Sequence, residues 1–184
     1  MSGFQPVMDV AVISKIEQFY FREARLLDDR QYQQWLLLLA EDIQYTVPTR
    51  HTPWLNTALR DTEAVLNVEQ ELSQAHEVPL RDDNYLTLMI RVTRSFKLSA
   101  WADNPPARTR RLVSNVEVLS NGMGEYKTYS NTLLSFSRHQ HDNVLYSYQR
   151  EDILMPQDDG FKIKNRNVLL DWNVITGPSV GLLF

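Results

Sequence analysis

The stretch NPPARTRRLVSNVEV, Asn104–Val118, divides the chain into two kinds of sequence. Pro105 and Pro106 stop any helix arriving from the N-terminal side, because proline lacks a backbone N–H and clashes with the preceding turn. Arg108, Arg110 and Arg111 follow within four residues, and Leu112–Val118 then runs on with three valines. On a strand, Arg108 and Arg110 project to one face and Arg111 to the other. The residues themselves leave two readings of these cations open. They are solvated strand-end charges, or they dock on carboxylates of a neighbouring chain, for which the guanidinium fork is well shaped.

Downstream of this stretch the sequence reads as strand. The segments are 110–120, 125–138, 143–154 and 161–172, separated by the turn signals SNGMG, HQHDN and PQDDG. Short turns between long strands make neighbours pair antiparallel, as a meander. Upstream, Val10, Ile13, Ile16, Phe19, Tyr20, Glu23, Ala24 and Leu27 share one face at helical spacing, and Asp9 is placed to cap that helix. YQQWLLLLA, Tyr32–Ala40, reads as a second helix after an acidic break, and DIQYTVPTR, Asp42–Arg50, as a strand that Pro48 places at a sheet edge or strand end. The span from about 52 to 80 is mixed. DDNYLTLMIRVTRSFKLSAW, Asp82–Trp101, has helical period, with Asp82 or Asp83 as cap and Tyr85, Leu86, Met89, Ile90, Val92 and Phe96 as apolar surface. Helices first and strands last predict an α+β fold, a curved sheet with helices on one face.

The 184 residues suit one domain, 1–184, with material for a sizeable core. Nineteen Lys and Arg against 23 Asp and Glu give a net charge of -4, which argues against nucleic acid as a partner. No apolar run reaches the roughly 20 residues of a membrane span. The chain has no cysteine, which removes disulfides and thiolate-held metals and fits a cytoplasmic protein.

Chemistry-bearing residues are few. His139 and His141 form an H-x-H pair beside Asp142, but at a hairpin turn they read as solvent-facing residues rather than as ligands with an ordered support. The pairs Asp28–Asp29, Asp82–Asp83 and Asp158–Asp159 fall at helix ends or turns, where Asp bonds to backbone. Glu23, with Arg25 near it, sits among apolar positions of the first helix. A pocket lined by Tyr20, Tyr45 and Trp172 would make it a candidate base; a hydrogen-bonded core residue is the favoured reading. The ending NVITGPSVGLLF leaves Leu182, Leu183 and Phe184 to dock against the fold itself or a partner.

Phe19–Pro48 (FYFREARLLDDRQYQQWLLLLAEDIQYTVP), Trp101–Val118 (WADNPPARTRRLVSNVEV) and Phe161–Ile175 (FKIKNRNVLLDWNVI) together resemble the small, or beta, subunit of aromatic ring-hydroxylating dioxygenases, the Rieske-type non-haem iron oxygenases. The resemblance runs from about Val10 to Phe184. It implies a fold like nuclear transport factor 2, a cone of helices on a strongly bent, mostly antiparallel sheet of about six strands. It implies a structural subunit without catalytic, cofactor or metal residues of its own, assembled with a large alpha subunit and other beta subunits as alpha3beta3. The alpha subunit would hold a Rieske [2Fe–2S] cluster and a mononuclear Fe(II), take NAD(P)H-derived electrons through a reductase or ferredoxin, and convert an aromatic compound to a cis-dihydrodiol. Arg108, Arg110, Arg111 and Phe184 are then expected at subunit interfaces. The alternative is a stand-alone dehydratase or isomerase on the same cone, with an acid–base residue in its pocket.

Overall fold

The computed structural model describes residues 3–52, 68–74, 77–97, 99, 105–138, 140, 142–174, 176–177 and 181–184. In chain order the elements are β1 (Gln5–Pro6), α1 (Val10–Asp28), α2 (Tyr32–Leu36), β2 (Leu39–Val47), a short 3-10 turn (Val68–Glu71), β3 (Arg81–Asp83), α3 (Tyr85–Ser95), β4 (Arg108–Ser120), β5 (Tyr126–Arg138), β6 (Asp142–Gln157) and β7 (Gly160–Leu170). One curved sheet contains all seven strands in the order β1-β4-β5-β6-β7-β2-β3. The α+β expectation holds, and the four long C-terminal strands form the antiparallel meander. The count exceeds six because β1 and β3, two and three residues long, finish the two edges. β2 joins the meander parallel to β7 and β3 closes it antiparallel.

Three local readings change. YQQWLLLLA is a helix only over Tyr32–Leu36, because Leu39 already pairs with Ile163 on β7 and the leucine run turns into β2. Asn84 caps α3, not Asp82 or Asp83: its side chain accepts from the Thr87 N–H while Thr87 Oγ1 accepts from the Asn84 N–H, a reciprocal capping box. The two aspartates lie instead in β3. The apolar side chains assigned to α3 divide, with Val92 buried beside Leu88 while Leu86, Met89, Ile90 and Phe96 stay exposed. Asp9 does cap α1, accepting from the Ala11 N–H at 2.9 Å.

The sheet bends where its strands carry extra residues. On β4 the register shifts between Ser114 and Glu117, with Asn115 at φ 52°. On β7 Lys164 has no opposite number on β6, since Ile153 faces Asn165 and Leu154 faces Ile163. A bulge bends its strand and inverts which residues face inward beyond it. Phe161 and Ile163 point into the core before Lys164; Arg166, Val168 and Leu170 do so after it. α1 lies across the inner face, packed against β4 and β7, with Ile16, Phe19, Tyr20, Glu23 and Leu27 buried.

Candidate functional site

The bulge on β7 turns Arg166 inward, and this creates the most distinctive feature of the interior. Thr128 on β5, Asp152 on β6, Arg166 on β7 and Tyr45 on β2 are successive cross-strand partners, a polar row over four strands. Arg150 faces inward two residues before Asp152 on β6. From above, α1 lowers Tyr20 and Glu23 onto this row.

Every charge in the cluster is matched. Arg166 Nη1 and Nη2 donate to the Glu23 carboxylate at 2.6 and 3.0 Å, while its Nε and Nη2 donate to Asp152 at 2.9 and 2.7 Å. Arg150 Nη1 donates to Glu23 Oε2 at 2.9 Å, and its guanidinium lies 4.9 Å from the centre of the Tyr20 ring. Trp35 Nε1 donates to Glu23 Oε1 at 3.0 Å. The Tyr20 hydroxyl donates to Asp152 Oδ2 at 2.9 Å and also bonds Thr128 Oγ1. Two carboxylates and two guanidiniums, all at most 1% exposed, thus make a neutral unit. Burial by itself would raise the pKa of Glu23. The Arg166 and Arg150 charges outweigh that, and with hydrogen bonds from Arg166 and Trp35 they hold the carboxyl at about 2. Burial and the neighbouring Asp152 push the Tyr20 hydroxyl well up, so it stays protonated.

Glu23 is therefore the hydrogen-bonded core residue, and it does not face an open pocket. Of the aromatic residues expected around it, Tyr20 and Tyr45 are buried. Trp172 stacks on Tyr146, with ring centres 4.9 Å apart. Phe184 fills the adjoining space, edge-on to Tyr146 and Tyr148 with ring centres 5.9 and 5.2 Å away. The segment leading to it is tethered through its carbonyls. Arg81 Nη1 donates to Leu182 O at 2.7 Å, Arg111 Nη2 to Leu183 O at 2.6 Å and Arg166 Nη1 to Phe184 O at 3.2 Å. The Tyr45 hydroxyl donates to Phe184 O and accepts from the Phe184 N–H.

The arginine cluster that opens the strand half splits as alternation requires. Arg108 and Arg110 are exposed; Arg111 is buried. Arg111 pairs with Asp28 at the end of α1, whose other oxygen accepts from the Arg111 backbone N–H at 2.8 Å, while Thr109 Oγ1 donates to the same carboxylate at 3.0 Å. Asp28 is thus an ion-pair partner rather than a capping residue. Arg111 and Phe184, two of the residues expected at an interface, are buried within this chain and make the contacts described above. His51 is exposed, His76, His139 and His141 lie outside the described residues, and no cluster of three potential metal ligands occurs among the described residues.

Residues 22–177 match the family described as ring hydroxylating beta subunit. The chain belongs to that family. It is 32% identical over 180 residues to the biphenyl 2,3-dioxygenase subunit beta of Rhodococcus jostii (strain RHA1), covering 96% of this chain and 91% of that protein. Against the benzene 1,2-dioxygenase subunit beta of Pseudomonas putida (strain F1) the identity is 33% over 173 residues, 92% of this chain and 87% of the other. The fold is shared with a chain of naphthalene 1,2-dioxygenase with indole bound, at a TM-score of 0.81 and 22% identity over 98% of this chain and 90% of that one. It is also shared with a putative scytalone dehydratase from Novosphingobium aromaticivorans, at 0.60 and 13% over 96% and 97%. The ring-hydroxylating beta subunits and that dehydratase-like protein thus share one architecture.

Neither Arg150, Asp152 nor Arg166 stood out in the sequence. On β6 a signal was present, for Tyr146, Tyr148, Arg150, Asp152 and Leu154 all occupy one alternation phase. On β7 the inward phase passes from Phe161 and Ile163 to Val168 and Leu170, which marks a bulge and puts Arg166 on the inner face.

Proposed function

We propose that this chain is the structural beta subunit of the terminal oxygenase of a ring-hydroxylating dioxygenase, and that ring oxygenation to a cis-dihydrodiol takes place on an alpha subunit. The observation that carries this reading is the state of the interior. Glu23 on α1 and Asp152 on the sheet beneath it are both bonded to guanidiniums. A carboxyl held at about 2 is a weak base near neutral pH, and Phe184 occupies the space beside it. That arrangement counts against a stand-alone dehydratase or isomerase working from this cone. It suits a rigid body whose work is adhesion.

A Rieske cluster takes two thiolate and two imidazole ligands, and a chain without cysteine does not fit that donor set. Cluster and mononuclear Fe(II) are accordingly assigned to the alpha subunit, in an alpha3beta3 assembly fed from NAD(P)H through a reductase or ferredoxin. The contact surface is assigned to the outer sheet face. Arg108 and Arg110 stand there above Leu112, Leu133 and Leu145, which are 60%, 43% and 56% exposed. In the register, Arg110, Ser135 and Leu145 form one cross-strand row, and Leu112, Leu133 and Ser147 the next. Exposed leucines flanked by guanidiniums make an anchor of the kind interfaces use. The test is co-expression with a ring-hydroxylating dioxygenase alpha subunit, followed by light scattering. A mixed hexamer that weakens in the Arg108→Ala/Arg110→Ala double variant is expected. Turnover of a substrate by the purified chain alone would refute the reading.

A further inference from the structure

We infer that Phe184 is the resident occupant of a binding site for one uncharged aromatic ring, and that a free arene of that size competes with it for the place. The site is the space beside the Glu23 cluster, walled by Tyr146 and Tyr148. The inference concerns the interior of this chain and does not rest on the assembly role proposed above.

The walls belong to the sheet and are fixed without Phe184. Tyr146 and Tyr148 stand two residues apart in β6, and both are buried. Tyr146 stacks on Trp172 and lies edge-on to Phe136, with ring centres 6.4 Å apart. Gly177 backs onto it so closely that an added Cβ would collide with the Tyr146 hydroxyl. Tyr148 is set in the ladder between Thr132 on β5 and Leu170 on β7, themselves buried. Phe184 enters this frame from a segment that belongs to no strand. Walls already ordered spare a ligand the entropy cost of assembling them.

The tethers let the ring exchange while the frame stays closed. Arg81 and Arg111 hold the carbonyls of Leu182 and Leu183, upstream of the ring. At Phe184 itself the partners are the Tyr45 hydroxyl and one Arg166 nitrogen, and Arg166 keeps Glu23 and Asp152 when that contact opens. Movement of Phe184 therefore breaks no strand pairing, and segments of that kind open locally at small cost. The geometry names the ligand class. Both tyrosines meet Phe184 near a right angle, at 68° and 79°, the edge-to-face arrangement that a ring quadrupole favours. An apolar space of about 150 Å³ stays dry and takes up benzene. In the natural chain the apparent affinity is reduced by the fraction of molecules in which Phe184 has moved out.

The experiment is fluorine NMR and thermal unfolding of the full-length chain with fluorobenzene, and with fluorocyclohexane as the saturated counterpart. Phe184→Ala vacates the site, and a saturable shift or broadening of the fluorobenzene signal is expected, with fluorocyclohexane bound more weakly. At ten times its dissociation constant, fluorobenzene should raise the variant's folding equilibrium constant about elevenfold, read as a higher melting temperature. The natural chain should bind at least about tenfold more weakly than Phe184→Ala, because its own ring must leave first. Phe184→Leu, which refills most of the space, should lose the binding. If Phe184→Ala is unfolded by itself, refolding in saturating fluorobenzene should restore the native circular dichroism spectrum, and a chain that stays unfolded there overturns the inference. A folded Phe184→Ala that binds no fluorobenzene also overturns it, as does equal binding of fluorocyclohexane. Equal binding by the natural chain or by Phe184→Leu places the ring elsewhere and has the same result.

Discussion

Arg108 and Arg110 can be set against Arg150 and Arg166. The first pair sits in a dense run that any reader of the sequence notices, and both side chains end in solvent. The second pair is dispersed, each arginine standing alone among strand residues, and both are sealed in the core at 1% exposure. Clustering of charge in sequence and depth of charge in the fold are thus opposed here. A strand alternates faces, so adjacent arginines cannot all go inward, whereas a lone arginine in phase with tyrosines and leucines must. The outer pair is available for work between molecules; the inner pair holds one molecule in shape.

The contrast is easiest to break at Arg166. Arg166→Met leaves two buried carboxylates with only Arg150 between them, and breaking one side of a buried ion set costs about 3–5 kcal/mol. The melting temperature of the isolated chain, followed by circular dichroism, should fall by roughly 6–20 °C for a chain of this size. Phe184→Ala comes next. It empties the space against Tyr146 and Tyr148, and removal of a buried phenyl costs about 3 kcal/mol or slightly more, read from the urea midpoint.

The third effect depends on pH. The Glu23 carboxyl is held at about 2 in the fold against an ordinary value of 4.5. A depressed folded pKa contributes stability that is fully present above the unfolded value and is lost as pH falls through the folded one. That contribution is roughly 3 kcal/mol, fading between pH 4.5 and 2. Urea titrations at pH 5 and at pH 2.5 should show this loss in the natural chain and a smaller one in Glu23→Gln. An equal loss in both would remove Glu23 from the account. The smallest effect belongs to the outer pair. Arg108→Ala and Arg110→Ala should each move the isolated chain's melting point by no more than the equivalent of about 0.5 kcal/mol, while assembly becomes weaker and more salt-sensitive. A large loss in the isolated chain would mean that these arginines also serve the fold.

Much of this architecture was legible. The helical face from Val10 to Leu27, the cap at Asp9, and the long strands after Pro106 rest on period and turn chemistry, which act locally. The alternation that sends Arg108 and Arg110 one way and Arg111 the other was legible too. What escaped depends on pairing. Leu38–Leu39 reads equally as helix or strand until Ile163 is alongside. β3 is three residues long and exists because β2 offers it an edge. Arg166 faces the core only because Lys164 is unmatched across the ladder, a fact about two strands together. The ion pair of Arg111 was not legible because its partner, Asp28, lies 83 residues away.

The tethered segment from Gly181 to Phe184 has a mechanical consequence. It has no regular secondary structure, yet it is held from β3 near one margin of the sheet, from β4 near the other, and from β2 and β7 between them. It behaves as a drawstring across an open arch. The width of the mouth is set by the length of four residues, and any change that slackens them lets the arch splay along its whole span.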